Sequence, residues 1–257
     1  MTSTNFSFAG APTATLRAAG PGGLLQTPPP HLTAALRQLQ TLAGRALNMD
    51  DGSMVRLENF KGEETATGST ATPAVNAYVS TPLGCIISRR LPSAHVEPDR
   101  SVVLSKAVVD AVASTKSSSS DSEWALDLGE TVDLMWRGTL PPRGGYQVMD
   151  TIPGATLREL HEQMGRENTA HSGPAGIARS LLDQHILTIE AGDQPAVVID
   201  GRMLAALGGS GIITQPKRED LRDFDHVRVS TSGSWIRIDA LFGTLYAPRP
   251  GGLARVP

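Results

Sequence analysis

The chain has 257 residues, of which 40% are hydrophobic, and a formal net charge of −3. This length suits one large domain or two ordinary ones, and the charge gives no long-range attraction to nucleic acid or anionic membranes. The single cysteine excludes an intramolecular disulfide and any multi-cysteine zinc site. The first residues lack the basic and apolar regions of a signal peptide, and no window approaches the roughly 18 apolar residues of a membrane-spanning helix. We therefore expect a cytoplasmic protein with no membrane partner.

The first half of the chain predicts a leader followed by an α+β unit. Residues 1–30 are rich in Ala, Thr, Gly and Pro without periodicity, which indicates a disordered leader. From His31 to Leu47, leucines recur at helical spacing and predict an amphipathic helix. Residues 31–113 as a whole predict helix, three-stranded sheet and helix. The strands are expected at residues 54–60, 75–80 and 84–91, and the second helix at residues 101–113.

The second half predicts a separate unit after a flexible linker. The polar segment 114–122, which contains KSSSSDS, has the composition of a linker, and residues 123–257 form the second unit with a core at 140–248. Helix starts are indicated near Thr151, Ser172 and Asp200, and the clearest β signal is a hairpin spanning Val227 to Ile238. The predicted fold class is therefore α+β with two small units, the second helical with a C-terminal β-hairpin and partly winged-helix-like.

Three histidines are the candidates for a metal site. His161 and Glu162 begin the HExxH pattern of zinc proteases, but Gly165 stands where the second histidine ligand is required. His161, His171 and His185 lie within 25 residues, with Asp183 among them. Nothing in the pattern fixes their geometry or supplies the partners that orient metal-binding imidazoles. Separate histidines are favoured, and we predict no bound metal.

The sequence contains no motif that predicts catalysis. Cys85 lies in an apolar run, where a free cysteine usually behaves as a small buried hydrophobe. The glycines at 208–211 lack the lysine and Ser/Thr ending of a phosphate loop. Asp127, Glu130 and Asp133 are interpreted as a solvated face, because no partner for acid–base chemistry accompanies them. We therefore predict no catalytic residues, no cofactor and no enzymatic activity.

The remaining hypotheses concern partners. Trp235, Phe242 and Tyr246 around the hairpin form a candidate interface for an unknown protein, which predicts a protein-binding or regulatory adaptor. Packing of the same side chains in a core is an equally good interpretation. The alternative is a DNA-binding transcriptional regulator with a winged-helix-like second unit, although its balanced charge disfavours nucleic acid. The candidate phosphate ligands are Arg202, Arg228 and Arg237. A third alternative is an enzyme whose active site follows no known motif.

Three segments resemble a family of uncharacterised actinobacterial proteins: LPPRGGYQVMDTIPGATL, SLLDQHILTI and SWIRIDALFGTLY. The resemblance extends over most of the chain apart from the leader and the low-complexity loops. It agrees with the excess of arginine over lysine, 19 against 4. The family implies a cytoplasmic housekeeping or regulatory role, and it assigns a function to no residue.

Overall fold

The computed structural model of the chain describes residues 10–60, 72–115, 123–171, 177–192 and 194–249. The chain divides into two compact units that interleave in sequence. Unit 1 comprises Met1–Val79 and Arg89–Gly138, and unit 2 comprises Ser80–Ser88 and Thr139–Pro257. The expected boundary lay at residue 122, whereas residues 123–138 belong to unit 1. The strand within these residues pairs with the first strand of the chain. The expected linker core at residues 116–122 lies outside the described residues.

The first half of the chain contains eight strands and two α-helices within its described residues. The strands are β1 (Thr13–Gly20), β2 (Gly23–Leu24), β3 (Met54–Phe60), β4 (Ala74–Ser80), β5 (Ile86–Pro92), β6 (Ala94–Glu97), β7 (Arg100–Leu104) and β8 (Ala125–Glu130). The helices are α1 (Pro30–Met49) and α2 (Ser105–Ser114). The first three residues of β5 belong to unit 2.

Strand β1 replaces part of the expected disordered leader. It lies between β6 and β8, and Leu16 is opposite Val96 on one side and Leu126 on the other. Ala14, Leu16 and Ala18 are buried, as the two-residue period of a strand requires. Alanine carries too weak a hydrophobic signal to reveal this alternation in a stretch rich in Thr and Ala. Residues 1–9 of the expected leader lie outside the described residues.

Helix α1 confirms the helix predicted between His31 and Leu47. Its leucines at 32, 36, 39 and 42 are buried on one face, and Pro30 occupies the first turn, where a missing N–H costs little. The helix packs against α2, and the side-chain amide of Gln40 donates to the carbonyl of Val109 over 3.1 Å. The two helices form one layer of unit 1.

The sheets of unit 1 overturn the predicted helix, three-stranded sheet and helix. β3 lies between β4 and β7, both antiparallel, and β1, β2, β6 and β8 form a further sheet. The helix expected from Ser101 begins only at Ser105, because Val102 and Val103 belong to β7. β-branched residues favour the strand when a partner such as β3 is available. The predicted fold class is therefore wrong in the amount and order of its strands.

Unit 2 contains six strands and three α-helices in the rest of the described chain. The strands are β9 (Gln147–Pro153), β10 (His185–Ala191), β11 (Gln194–Asp200), β12 (His226–Ser232), β13 (Trp235–Ala240) and β14 (Gly243–Pro248). The helices are α3 (Gly154–His171), α4 (Arg179–Leu182) and α5 (Gly201–Ser210). The helix expected from Ser172 falls partly outside the described residues, and its described part is the single turn α4.

The main sheet of unit 2 also corrects the predicted fold class. The β12–β13 hairpin is present, but β9 pairs with the outer side of β12 and β14 with the outer side of β13. β14 in turn pairs with residues 86–88 of β5. Ile236 and Ile238 on β13 are fully buried together with Leu245 on β14. The hairpin is therefore the centre of a sheet, whereas a helical unit with a terminal wing was expected.

Local signals at the end of β11 were predicted correctly. The Asp200 carboxylate accepts a hydrogen bond from the backbone N–H of Met203 over 2.8 Å, so Asp200 is the expected cap of α5. Met203, Leu204 and Leu207 are buried, and α5 contacts α3. Among the described residues, no helix combines the length and the apolar character that crossing a membrane requires.

Alanine substitutions at two glycines of unit 2 should have opposite effects on stability. A Cβ on Gly201 would lie 1.9 Å from the carbonyl oxygen of Leu181, and this backbone atom has little freedom to move. We expect Gly201→Ala to lower the free energy of unfolding by roughly 1–3 kcal/mol through overpacking. Gly165, inside α3, has open space around it, so Gly165→Ala is the matched control and should raise that free energy by roughly 0.5–1 kcal/mol. Chemical denaturation measures both, and equal effects would contradict the packing at Gly201.

Candidate functional site

The exposed side of α1 is the first candidate surface. We call it the α1 face, and it consists of Ala34, Arg37, Gln38, Thr41, Arg45 and Asn48, all exposed except the half-buried Arg45. These positions share one side because they recur at three, four and seven residues, opposite the buried leucines. The 20 residues of α1 include no Asp or Glu. The face therefore presents guanidinium, amide and hydroxyl groups without a carboxylate.

A further arginine reaches the α1 face from the sheet. The Arg89 guanidinium donates a hydrogen bond to the side-chain oxygen of Gln38. Burial lowers the pKa of Arg89 from its ordinary value, but a guanidinium stays protonated in proteins. Arg37 has no ion-pair partner among the residues that the structure describes. Carboxylates follow only beyond the helix, at Asp50 and Asp51.

The other long helices have a different charge pattern. On α2, Lys106 pairs with Asp110 over 2.7 Å, which leaves no net charge on its exposed side. On α3, Glu159 and Glu162 are exposed and outnumber Arg166, while Arg158 is held by the Asp225 carboxylate at 2.6 Å. The hydrogen bond to Asp225 raises the pKa of Arg158. Of α1, α2 and α3, only α1 therefore contains no acidic residue.

The outer side of the unit 2 sheet is the second candidate surface. We call it the tyrosine–arginine face, and it consists of Tyr146, Arg228, Trp235, Arg237, Asp239 and Tyr246. Side chains alternate along a strand, so these groups point away from the buried Ile236 and Ile238. Tyr146 comes from the segment before β9, and its ring centre lies 6.2 Å from that of Tyr246.

Asp239 organises the tyrosine–arginine face. Its Oδ1 accepts from Nε of Arg237 at 2.9 Å and from the hydroxyl of Thr244 at 2.8 Å, and its Oδ2 accepts from Arg228 at 3.2 Å. The Arg237 guanidinium lies 5.3 Å from the ring centre of Tyr146 and 6.0 Å from that of Tyr246. Burial opposes the charge on Arg237, but Tyr246 and Asp239 outweigh it and raise its pKa.

Unit 1 contains a comparable arrangement on β3. Arg56 donates to Glu58, two residues later on the same side of the strand, over 2.7 Å. The Arg56 guanidinium lies 5.9 Å from the ring centre of Trp136. Here the glutamate is buried, so the pair is enclosed and offers less access than the pair on β13.

Four of the residues predicted as interaction sites meet on one surface. Trp235, Tyr246, Arg228 and Arg237 all belong to the tyrosine–arginine face, and both aromatic side chains are half-buried. Phe242 lies in the turn between β13 and β14, also half-buried. The sixth predicted residue, Arg202, lies on α5 and pairs with Asp183 over 2.7 Å. Their role in binding stays a prediction.

Sequence patterns did not identify Tyr146, Asp239 or the α1 face. Asp239 follows Arg237 at the two-residue spacing that places both on one side of a strand, which was the available signal. Tyr146 precedes β9, and its approach to β14 depends on a long-range pairing. The leucine spacing and the absence of acidic residues in α1 were the available signals for the α1 face.

The candidate histidines and acidic residues have separate surroundings. His161 packs against Gly208 of α5, where a Cβ would meet the imidazole at 2.2 Å, and burial lowers the pKa of His161. The side chain of His171 lies outside the described residues. Within the described part of the chain, no group of three His, Cys, Asp or Glu side chains is placed to hold a metal ion. Asp133 accepts from the backbone of Val102 at 2.6 Å and is a structural residue.

Two domains of unknown function account for most of the chain. Residues 31–138 match the family model described as Domain of unknown function (DUF8010), and residues 141–252 match Domain of unknown function (DUF8185). These two matches confirm the predicted resemblance to uncharacterised proteins. They do not indicate an organism. No curated protein matches the chain.

The fold resembles that of DNA polymerase sliding clamps. The Pseudomonas aeruginosa clamp has a TM-score of 0.48 and 14% identity over 88% of this chain. The DNA polymerase III beta chain of Streptococcus pneumoniae has a TM-score of 0.48 and 11% identity over 92%. The Bacillus subtilis clamp has a TM-score of 0.47 and 14% identity over 92%. The matches cover 64% of each clamp chain, and these likenesses concern the fold alone.

The functional hypotheses drawn from the sequence are wrong. An adaptor was expected, whereas the solved structures that resemble the chain are sliding clamps. The winged-helix regulator also fails because β9 and β14 enclose the hairpin, which leaves no free wing. The prediction that the chain has no enzymatic activity remains untested.

Cys85 provides a test of the buried environment near α5. Burial, followed by the charge of Asp200, raises the pKa of the Cys85 thiol to about 12, although Arg202 acts in the opposite direction. Because the thiolate is the reactive form, we expect negligible alkylation by iodoacetamide in the folded protein at pH 8 and rapid alkylation in denaturant. Mass spectrometry measures this at the chain's single cysteine. Equal rates in both states would contradict the burial of the thiol.

Proposed function

We propose that the chain is a DNA-clamp-like protein that holds duplex nucleic acid through its sugar–phosphate backbone, with the α1 face as the contact surface. The observation that carries the proposal is the absence of carboxylates from a 20-residue helix whose exposed side presents Arg37 and Arg45. A helix of this length extends about 30 Å, which is close to one turn of duplex.

The chemistry of the α1 face suits phosphates more than bases. Guanidinium groups bind phosphate oxygens through charge-assisted hydrogen bonds, and a side-chain amide such as that of Gln38 can also donate to the backbone. Contacts of this kind position a protein on duplex without selecting a sequence. Binding should therefore depend on salt and only weakly on base composition.

The net charge of the whole chain is a poor guide to this surface. At physiological ionic strength, exposed charges more than about 8–10 Å apart are largely screened from one another. All the carboxylate side chains that contribute to the charge of −3 lie outside α1, and Arg37 pairs with none of them among the described residues. The expectation that the balanced charge disfavours nucleic acid is therefore not kept, and duplex is proposed as a partner.

An exposed apolar cluster in unit 1 supports association between copies, which a clamp-like role requires. Leu134 is 96% exposed, Met135 43% and Leu104 38%. Two hydrogen bonds hold this segment against β7: Val132 N–H to Val102 O at 2.7 Å, and Val102 N–H to the Asp133 carboxylate at 2.6 Å. Large exposed apolar side chains grouped on adjacent elements are typical of a surface that is covered in an assembly.

Source and location remain part of the proposal. The arginine excess supports an actinobacterial origin, and a cytoplasmic location is the setting in which chromosomal duplex is available in such an organism. A protein partner is compatible with a clamp-like role.

Arg37→Glu tests the α1 face. We expect it to weaken binding to a duplex of about 30 base pairs by several-fold or more and to reduce the salt dependence by about one phosphate contact. Fluorescence anisotropy over a salt series measures both quantities. The matched control is Arg218→Glu, which makes the same charge change at a side chain that is 74% exposed in unit 2. Equal losses in the two variants, or no binding by the parent protein, would contradict the proposal.

Leu134→Asp tests the association between copies. We expect it to shift the molar mass in solution toward the single chain, because a carboxylate in the covered apolar cluster is costly to desolvate. Size-exclusion chromatography with light scattering measures the mass over a concentration series. Ile177→Asp is the control, at an exposed apolar side chain of unit 2. A parent protein of single-chain mass at all concentrations would contradict self-association.

A further inference from the structure

The tyrosine–arginine face carries more positive charge than its own carboxylate neutralises. Asp239 is the shared acceptor of Arg228 and Arg237, so two guanidinium groups face one carboxylate. Asp150 lies on the neighbouring edge strand β9, where its carboxylate accepts from the N–H of Thr151 at 2.7 Å. Among the described residues both arginines pair with Asp239 and neither pairs with Asp150, so one positive charge remains at the centre of the face.

The hydrogen-bonding capacity of Arg237 is only partly used. Its Nε donates to Asp239, while its two terminal nitrogens make no hydrogen bond to the residues that the structure describes. Terminal guanidinium nitrogens are suited to a carboxylate, which accepts two parallel hydrogen bonds. Arg237 is 29% exposed and Arg228 54% exposed in their side chains, so an incoming carboxylate has access to both.

The tyrosines determine which kind of anion fits. The Arg237 guanidinium lies over Tyr146 and Tyr246 at 5.3 and 6.0 Å, and the two rings are tilted by 55°. The cation lies within cation–π distance of both rings, so an unpaired nucleobase stacking on the same side would compete with it. A carboxylate in the plane of the guanidinium leaves these contacts intact. The geometry therefore favours a peptide over single-stranded nucleic acid.

Apolar side chains flank the charged centre. Val148 on β9 is 54% exposed and lies opposite Ser230. Trp235 lies opposite Ser232 and Pro248 and is half-buried. A partner that bears apolar side chains next to its carboxylate would cover these groups, and a partly buried aromatic beside an arginine is the composition of interface hot spots.

We propose that the tyrosine–arginine face docks an acidic peptide segment of a partner protein, with a partner carboxylate on Arg237 and Arg228 and an adjacent apolar side chain against Val148 or Trp235. The proposal goes beyond the clamp-like function, because it concerns unit 2 and a different class of partner. It does not depend on duplex binding at the α1 face.

Three short peptides and one oligonucleotide test the proposal on the full chain. The peptides alternate Leu or Phe with Glu, Gln or Lys, and the oligonucleotide is an octamer of deoxythymidine. Calorimetry measures binding to each, and the tryptophan fluorescence of the chain provides a second readout. We expect the Glu peptide to bind at least tenfold more tightly than the Gln peptide, and the Lys peptide to show no binding. Absence of Glu-peptide binding overturns the proposal, and so does tighter binding of the oligonucleotide.

Variants separate the role of the face from that of overall charge. Arg228→Glu should weaken Glu-peptide binding at least tenfold and permit the Lys peptide to bind, since the surplus charge is reversed. Arg237→Lys keeps the charge but loses the planar donor pair, so an intermediate loss is expected. Arg218→Glu is the control and should bind as the parent does. Circular dichroism checks that each variant is folded. Equal losses in Arg228→Glu and Arg218→Glu would overturn the assignment to this face.

Discussion

Strand alternation on β13 is the constraint on which unit 2 depends. Ile236 and Ile238 are fully buried on one side, while Arg237 and Asp239 lie on the other. A shift of one residue in the pairing with β12 or β14 would exchange the two sets and bury an ion pair in the core. The same register that closes the core therefore places the charged groups of the tyrosine–arginine face. Stability and surface chemistry have a common origin in this strand.

β3 shows the same construction in unit 1. Val55 and Leu57 are buried on one side, and Arg56 pairs with Glu58 on the other. In both units an arginine on a central strand contacts an acid two residues later and lies over an aromatic ring from a segment outside the sheet. The aromatic residue ties an irregular segment to the sheet, because a cation over a ring fixes the position of both. Residues beyond the strands thus gain definite positions.

The parts of the fold that follow from local patterns were predictable. The leucine spacing of α1, the capping side chain of Asp200 and the β12–β13 hairpin each involve residues close in sequence. The missing parts depend on distant pairs. The paired residues of β9 and β12 are 73 to 84 positions apart, and β14 pairs with residues 86–88. No local signal specifies such partners. The four predicted interaction residues on one face follow from the hairpin register, whereas Tyr146 and the α1 face required the tertiary structure.

The chain order of unit 2 has a consequence for how the gene can be divided. Residues 80–88 belong to unit 2 although they lie far upstream of its main segment, and Ile87 is fully buried opposite Leu245. A piece that begins near residue 139 lacks this strand and leaves the backbone groups of β14 without their neighbour, which is a site for aggregation. Recombination or splitting at the junction between the two matched domains would therefore yield an incomplete second unit. Residues 80–88 and the main segment of unit 2 therefore have to remain in one polypeptide chain for unit 2 to be complete.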